Sequence, residues 1–149
     1  MKINTISVND VADFFLAQMS EECGDTISNL KLQKLVYYAQ GFHLAVTDKP
    51  LFVEKIKAWD HGPAVPQLWH RFKQYGAGSI PKPAQVDFSV FSESQKELLS
   101  EVYRIFGQFS AWKLRNMTHI EPPWKDTKTG EVITHKAMKE YFKTKVNKK

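Results

Sequence analysis

The sequence contains little of what marks secreted, membrane-inserted or zinc-stabilised proteins. It has one cysteine, Cys23, among 149 residues, which excludes an intrachain disulfide and is typical of a reducing compartment. Its apolar runs are only a few residues long, whereas a membrane-spanning helix needs roughly 18 or more. Asp10 and Asp13 interrupt the apolar stretch that a secretory signal peptide requires. We therefore predict a cytoplasmic protein, without a membrane segment, that folds as one domain over residues 1–149.

Recognisable catalytic, metal-binding and phosphate-binding motifs are also missing. None of the five histidines stands four residues from another, and there is no HExxH, CxxC, GxSxG or GxxxxGK pattern. We therefore predict no metal, no cofactor and no enzymatic activity, with His43 as a hydrogen-bonded core histidine. An enzyme acting through His61, His119 and Glu121 is the minor alternative.

Arginine is scarce, and the positive charge lies near the end of the chain. The net charge is +5, and residues 112–149 carry ten Lys and Arg against four Asp and Glu. Such a region suits an acidic protein or nucleic acid. The plainer interpretation is a solvated helix face followed by a basic tail, residues 143–149, that frays.

What is present is mainly helical periodicity. The apolar spacing predicts a mainly α bundle of about six helices with a minor two- or three-stranded β element. The stretch 51–60 is expected to form one or two short strands, and Val132-Ile133 is expected to add a strand to the one before His61. The fourth helix is expected to bury Leu98, Val102, Ile105, Phe106 and Phe109. The first three predicted helices run from Ser7 to a stop at Gly24, from Ser28 to Val46, and from Pro63 or Pro66 to Tyr75. The fourth begins at Ser92 with a Ser92–Gln95 capping box. The fifth runs from Ser110 to Thr118 and is followed by a break at prolines 122 and 123, and the sixth begins at Thr134.

Two stretches have less regular predictions. Residues 76–92 hold two prolines, Pro81 and Pro83, in a stretch without periodicity, which predicts a surface loop with a short extended piece at 86–90. Gly41, inside the second helix, is expected to let another helix approach closely.

The second helix is apolar nearly all round, which predicts a central position and makes its polar residues informative. They fall at helical spacing and have two interpretations, a buried hydrogen-bonded network or contact with a partner. These candidate partner-binding residues are Lys31, Gln33, Lys34, Tyr37 and Gln40.

Three blocks of the chain resemble one known family. The string Asn29-Leu30-Lys31-Leu32-Gln33-Lys34-Leu35-Val36-Tyr37-Tyr38-Ala39-Gln40-Gly41-Phe42-His43-Leu44-Ala45 is similar to the signature of the Panacea domain, the SocA-like or GepA-like family of phage-associated and antitoxin proteins. Ala58-Trp59-Asp60-His61-Gly62-Pro63-Ala64-Val65-Pro66 resembles its second block, and the segment from Leu114 through Thr118-His119 to Pro123-Trp124 resembles its third. We expect a structural corner in which His61 orients the turn through a hydrogen bond. The corner is expected to consist of Trp59, His61, Gly62 and Pro63, with Pro123 and Trp124 filling a gap beside it and Pro66 in the same structural motif.

The resemblance implies an antitoxin that neutralises a cognate protein toxin by direct binding. Members of this family are paired with toxins of many unrelated folds, which often block translation. Two alternatives remain open. One is a nucleic-acid-binding or autoregulatory protein that uses the basic C-terminal region, including Lys136 and Lys139. The other is an adaptor that presents a bound partner to a protease.

Overall fold

Helices dominate the structure, a computed structural model that describes residues 6–20, 22 and 24–146. The predicted class, mainly α with a minor β element, is confirmed. The helix number is seven in the described residues, because Pro122–Lys125, whose prolines predict a break, forms one helical turn with proline at its start. The elements are α1 (Val8–Ala17), α2 (Asn29–Thr47), β1 (Lys57–Trp59), β2 (Gly62–Ala64), α3 (Pro66–Arg71), α4 (Glu93–Phe106), α5 (Ala111–His119), α6 (Pro122–Lys125) and α7 (His135–Lys143).

Hydroxyl side chains begin five of the helices, as their positions predict. Helices α1 and α4 start with capping boxes, Ser7 with Asp10 and Ser92 with Gln95, in which side chain and backbone satisfy each other. In the other three helices the cap oxygen accepts a hydrogen bond from a backbone N–H in the first turn. These caps are Ser28 for α2, Ser110 for α5 and Thr134 for α7.

Helix α2 lies at the centre of the fold, as its apolar circumference predicts. Helices α1, α4, α5 and α7 pack around it. It ends at Asp48, which adopts a left-handed conformation with φ of 65° and pairs with Lys139 and Lys143 of α7. Although α2 has 19 residues, no helix in the described ranges is long and apolar enough to cross a membrane.

Gly41 brings α7 against α2. A Cβ at this position would overlap the ring of Phe142, which is buried and packs edge-on against Tyr37 and Tyr38. The predicted close approach of another helix at Gly41 is therefore confirmed.

The β element is a short hairpin with one added bridge. Strands β1 and β2 pair antiparallel, with Trp59 opposite Gly62. Val132 forms an isolated bridge with Lys57 on the other side of β1, and the Ile133 N–H donates to Ile56 O at 2.8 Å. The predicted pairing of the Val132-Ile133 segment is confirmed, as a bridge rather than a full strand.

Two predicted helix ends and one predicted extended piece are wrong. Helix α1 ends at Ala17, not near Gly24. Beyond this end the Ser20 N–H donates to the Asp25 carboxylate, and the Asp25 N–H donates to Ser20 O. Helix α3 ends at Arg71 and is followed by a separate 3-10 turn at Lys73–Tyr75. The piece predicted as extended at 86–90 contains a 3-10 turn, Phe88–Val90, capped by Asp87.

The predicted buried face of α4 is also wrong in part. Leu99 and Val102 are buried, whereas Ile105 is 37% exposed. Phe106 stacks on Tyr38 of α2, with ring centroids 4.0 Å apart. Leu99 stands seven residues before Phe106, on the same side of the helix, and is fully buried, whereas its neighbour Leu98 is only partly buried.

Candidate functional site

The three blocks that carry the family resemblance meet at one place in the fold. Strand β2 packs against both α2 and α5, and α6 follows directly after α5. We call this junction the corner, and it consists of the 59–63 turn with Lys34, Thr118, His119 and Trp124 packed on it.

Gly62 is the point of closest approach in the corner. Its φ is +113°, and a Cβ there would lie 2.7 Å from Lys34 Cε and 3.0 Å from Thr118 Oγ1. The position therefore favours glycine for two separate reasons, backbone conformation and space.

Side chains from α5 and α6 hold the turn from outside. Trp124 Nε1 donates to Trp59 O at 2.8 Å. His119 Nε2 lies 2.9 Å from Asp60 O, and its Nδ1 lies 2.7 Å from Arg115 O. The His119 and Trp124 rings are in contact, with centroids 4.0 Å apart. Two consecutive carbonyl oxygens of the turn are thus bound by the segment after Leu114.

Lys34 lies beneath the turn with its side chain fully buried. Its Nζ donates to Pro63 O at 3.2 Å. Burial, followed by the nearby Arg115 guanidinium, lowers the pKa of Lys34 from 10.5 to about 7. The corner therefore contains an amine that titrates near neutral pH.

His61 packs on the outside of the corner through its ring. The ring stacks on Trp69, with centroids 4.8 Å apart, and meets Trp59 edge-on. Its Nδ1 is buried and has no hydrogen-bond partner among the described residues. The prediction that His61 orients the turn through a hydrogen bond is therefore wrong for Nδ1, and ring stacking holds the side chain. Burial, and then the Lys34 charge, lower the pKa of His61.

The other prolines of the predicted motif, Pro66 and Pro123, each lie in a short helix. Pro66 is the first residue of α3, where its fixed φ suits the helix start. Pro123 is buried in α6 beside the half-buried Trp124.

Polar side chains of α2 bind the chain that follows it. Gln33 Oε1 accepts from the Val65 N–H at 2.8 Å, and its Nε2 donates to Asn29 Oδ1 at 2.9 Å. Gln40 accepts from the Leu51 N–H at 2.7 Å and donates to Phe52 O at 2.8 Å. Two glutamines of one helix thereby fix the segments before and after the hairpin.

The two tyrosines of α2 share one carboxylate. Tyr37 OH donates to Glu121 Oε1 at 2.9 Å and Tyr38 OH donates to Glu121 Oε2 at 2.8 Å. Burial raises the pKa of Glu121, against the effect of the two hydroxyl donors. Burial and the neighbouring Glu121 raise the pKa of Tyr37 and Tyr38. This triad joins the α5–α6 junction to the central helix.

Of the two interpretations of the α2 polar residues, the structure shows the hydrogen-bonded network. Gln33, Lys34, Tyr37 and Gln40 are buried, and half-buried Lys31 donates through Nζ to Gly107 O at 2.7 Å. Burial lowers the pKa of Lys31, opposed by the Asp25 charge. Contact between these side chains and a partner stays a prediction.

Glu121 and Tyr38 belong to this network but are not among the polar candidates of the sequence analysis. A usable signal is the Tyr37-Tyr38 pair, because buried tyrosine hydroxyls need hydrogen-bond partners. His61, His119 and Glu121, the residues of the enzyme alternative, each have a different set of neighbours. No hydrogen bond joins any two of them in the described part of the chain.

The residue types that bind metals do not cluster in the described part of the chain. His43 is buried, with Nδ1 2.7 Å from Lys49 O, as predicted for a core histidine. Within residues 6–20, 22 and 24–146, no group of three or more His, Cys, Asp or Glu is placed to hold a metal ion. Cys23 lies outside the described residues.

Comparison with known proteins agrees with the three blocks. No curated protein and no solved structure matches the chain. The family model described as "Antitoxin SocA-like, Panacea domain" matches residues 32–125, which is well over half of the 149 residues. That range begins in α2, ends with α6 and includes every element of the corner. The chain therefore belongs to the SocA-like Panacea domain family of antitoxins.

Proposed function

We propose that this protein is an antitoxin that neutralises a cognate protein toxin by binding it directly. The observation that carries the proposal is the family match over residues 32–125, since this range builds the corner and the central polar network. We further infer that the protein works by binding, without turnover, in the cytoplasm where a translation-blocking toxin would act. The domain is proposed to extend over residues 1–149, of which 1–5, 21, 23 and 147–149 lie outside the described residues.

The structure supports a binding role through the way its polar interior is used. The amide groups of Gln33 and Gln40 and the hydroxyls of Tyr37 and Tyr38 bind other parts of the same chain. Satisfied buried networks make a fold rigid. A rigid surface loses little conformational entropy when it binds, which favours tight association.

The nucleic-acid alternative has less support. Two of the lysines near the end of the chain, Lys139 and Lys143, pair with Asp48 at 3.3 and 3.4 Å. Cations that are paired within the protein gain less from contact with phosphate.

The test uses the protein encoded next to this chain as the toxin. Expressed alone it should stop growth, and co-expression of this chain should restore growth and give a complex of fixed stoichiometry in size-exclusion chromatography. Purified chain should also inhibit purified toxin without any protease present, which separates direct neutralisation from the adaptor alternative. A toxin that stays active beside folded, well-expressed chain would refute the proposal.

A further inference from the structure

The outer side of α5 carries apolar side chains in solvent. Trp112 is 62% exposed and Ile120 is 77% exposed, and exposed Asn116 lies between them. Residues four apart lie on one side of a helix, so these three form a single line. We call this line, with Lys113 and Arg115 beside it, the α5 face.

Single exposed apolar residues are ordinary on protein surfaces, but the α5 face combines two of them with cations. The Arg115 guanidinium lies 4.6 Å from the centroid of the Trp112 ring, and Lys113 Nζ lies 6.0 Å from that of Phe109. Aromatic rings thus hold both cations in place.

No carboxylate of the described chain pairs with either cation of the α5 face. The stretch 102–120 contains no Asp or Glu at all. By contrast, Arg71 and Arg104 each have an acidic partner, Asp13 and Glu101. The α5 face is therefore a place where a carboxylate from another molecule would meet uncompensated positive charge.

This combination fits a protein partner better than a nucleic acid. Tryptophan and arginine are enriched among the residues that dominate protein–protein binding energy, and arginine binds carboxylates with two parallel hydrogen bonds. Binding to nucleic acid is driven mainly by the number of phosphates that Lys and Arg neutralise. This face offers only two cations, and they stand beside two exposed apolar side chains, Trp112 and Ile120.

We propose that the α5 face is the docking surface for the toxin, and that the toxin surface presents carboxylates to Lys113 and Arg115 around an apolar pocket for Trp112. The identity of the partner as the toxin rests on the proposed function. The existence of an acidic protein partner for this face rests on the exposure and charge described above.

The first experiment measures the affinity of the purified chain for the protein encoded beside it. Trp112→Ser and Lys113→Glu should each weaken binding at least about tenfold, as expected for residues at the centre of an interface. Val46→Ser is the control for the first change, because Val46 is also 62% exposed and lies roughly 18 Å along α2 from Lys34. Lys136→Glu on α7 is the control for the second. Both controls should bind within about twofold of the unchanged chain.

All four variants should keep the circular dichroism spectrum and melting temperature of the unchanged chain, since each alters an exposed side chain. Restored affinity when a toxin carboxylate is changed to lysine opposite Lys113→Glu would support the assigned charge pairing. If the unchanged chain binds the toxin and all four variants bind equally well, the α5 face is refuted while the proposed function stands.

A second experiment tests the α5 face if the unchanged chain does not bind the neighbouring protein, in which case the proposed function fails. A photo-crosslinking amino acid is placed at Asn116, and at Val46 as control, in the native host. The α5 face is supported if position 116 alone captures a protein that, once purified, shows the same tenfold losses with Trp112→Ser and Lys113→Glu. It is overturned if position 116 captures nucleic acid, a second copy of this chain, or nothing beyond the control.

Discussion

The buried Lys34 should give the stability of this protein a pH dependence whose sign follows from its lowered pKa. In the unfolded chain its ordinary pKa is 10.5, and in the folded protein burial lowers it to about 7. Between these values the unfolded chain binds one more proton than the folded chain. The free energy of unfolding should therefore rise as the pH rises from about 7 towards 10.5.

Replacing Lys34 by methionine removes the titrating group and keeps an unbranched side chain. Each pH unit in this window should change the free energy of unfolding of the unchanged chain by about 1.4 kcal/mol relative to the variant. Integrated from about pH 7.5 to about pH 9.5, the unchanged chain should gain about 2 to 3 kcal/mol of stability relative to Lys34→Met. At the lower pH the variant should be the more stable of the two. Removing the buried amine relieves about 4 kcal/mol there, and the unsatisfied Pro63 O that Lys34→Met leaves behind costs only about 1 to 3 kcal/mol.

Urea unfolding followed by tryptophan fluorescence at several pH values measures this difference. Lys136→Met, which removes an exposed lysine of α7, is the control and should give a curve parallel to that of the unchanged chain. Parallel curves for Lys34→Met and the unchanged chain would show that Lys34 is not buried as a neutral amine, and would refute the reasoning.

Two further predictions concern the corner and the tyrosine–carboxylate triad. Gly62→Ala should lower the free energy of unfolding by about 2 to 5 kcal/mol, from positive φ and overlap together. Gly130→Ala, with φ of +88° and no neighbouring atom within 4 Å, should lose only about 1 to 2 kcal/mol. Equal losses in urea unfolding would contradict the packing described at Gly62. Tyr37→Phe and Tyr38→Phe should each destabilise by about 1 to 3 kcal/mol, and the double variant should depart from their sum by about 0.5 kcal/mol or more. Strict additivity would argue against a shared Glu121.

Features that depend on neighbouring residues in the chain could be predicted from the sequence. The capping serines and the Ser92–Gln95 box satisfy backbone groups within one helical turn, so their signal is local. The central place of α2 follows from its apolar circumference. The buried side of α4 could not be predicted, since Leu98 and Leu99 are equally apolar and the contact between Phe106 and Tyr38 joins residues far apart in the chain.

The candidate site could be predicted only in outline. The polar spacing on α2 identifies Gln33 and Gln40 as important, but their partners outside α2 are backbone groups of residues 51, 52 and 65. Backbone groups are the same at every position and leave no pattern in the sequence. The contact of Lys34 with Gly62 joins residues far apart in the chain, and it follows from how β2 packs between α2 and α5.

The most direct measurement is the activity of the purified toxin against increasing amounts of the purified chain, with no protease or nucleic acid present. We expect the activity to fall to zero at a fixed molar ratio with the unchanged chain and with Val46→Ser. Trp112→Ser should need at least about tenfold more protein for the same inhibition. Full toxin activity in excess folded chain would contradict direct neutralisation.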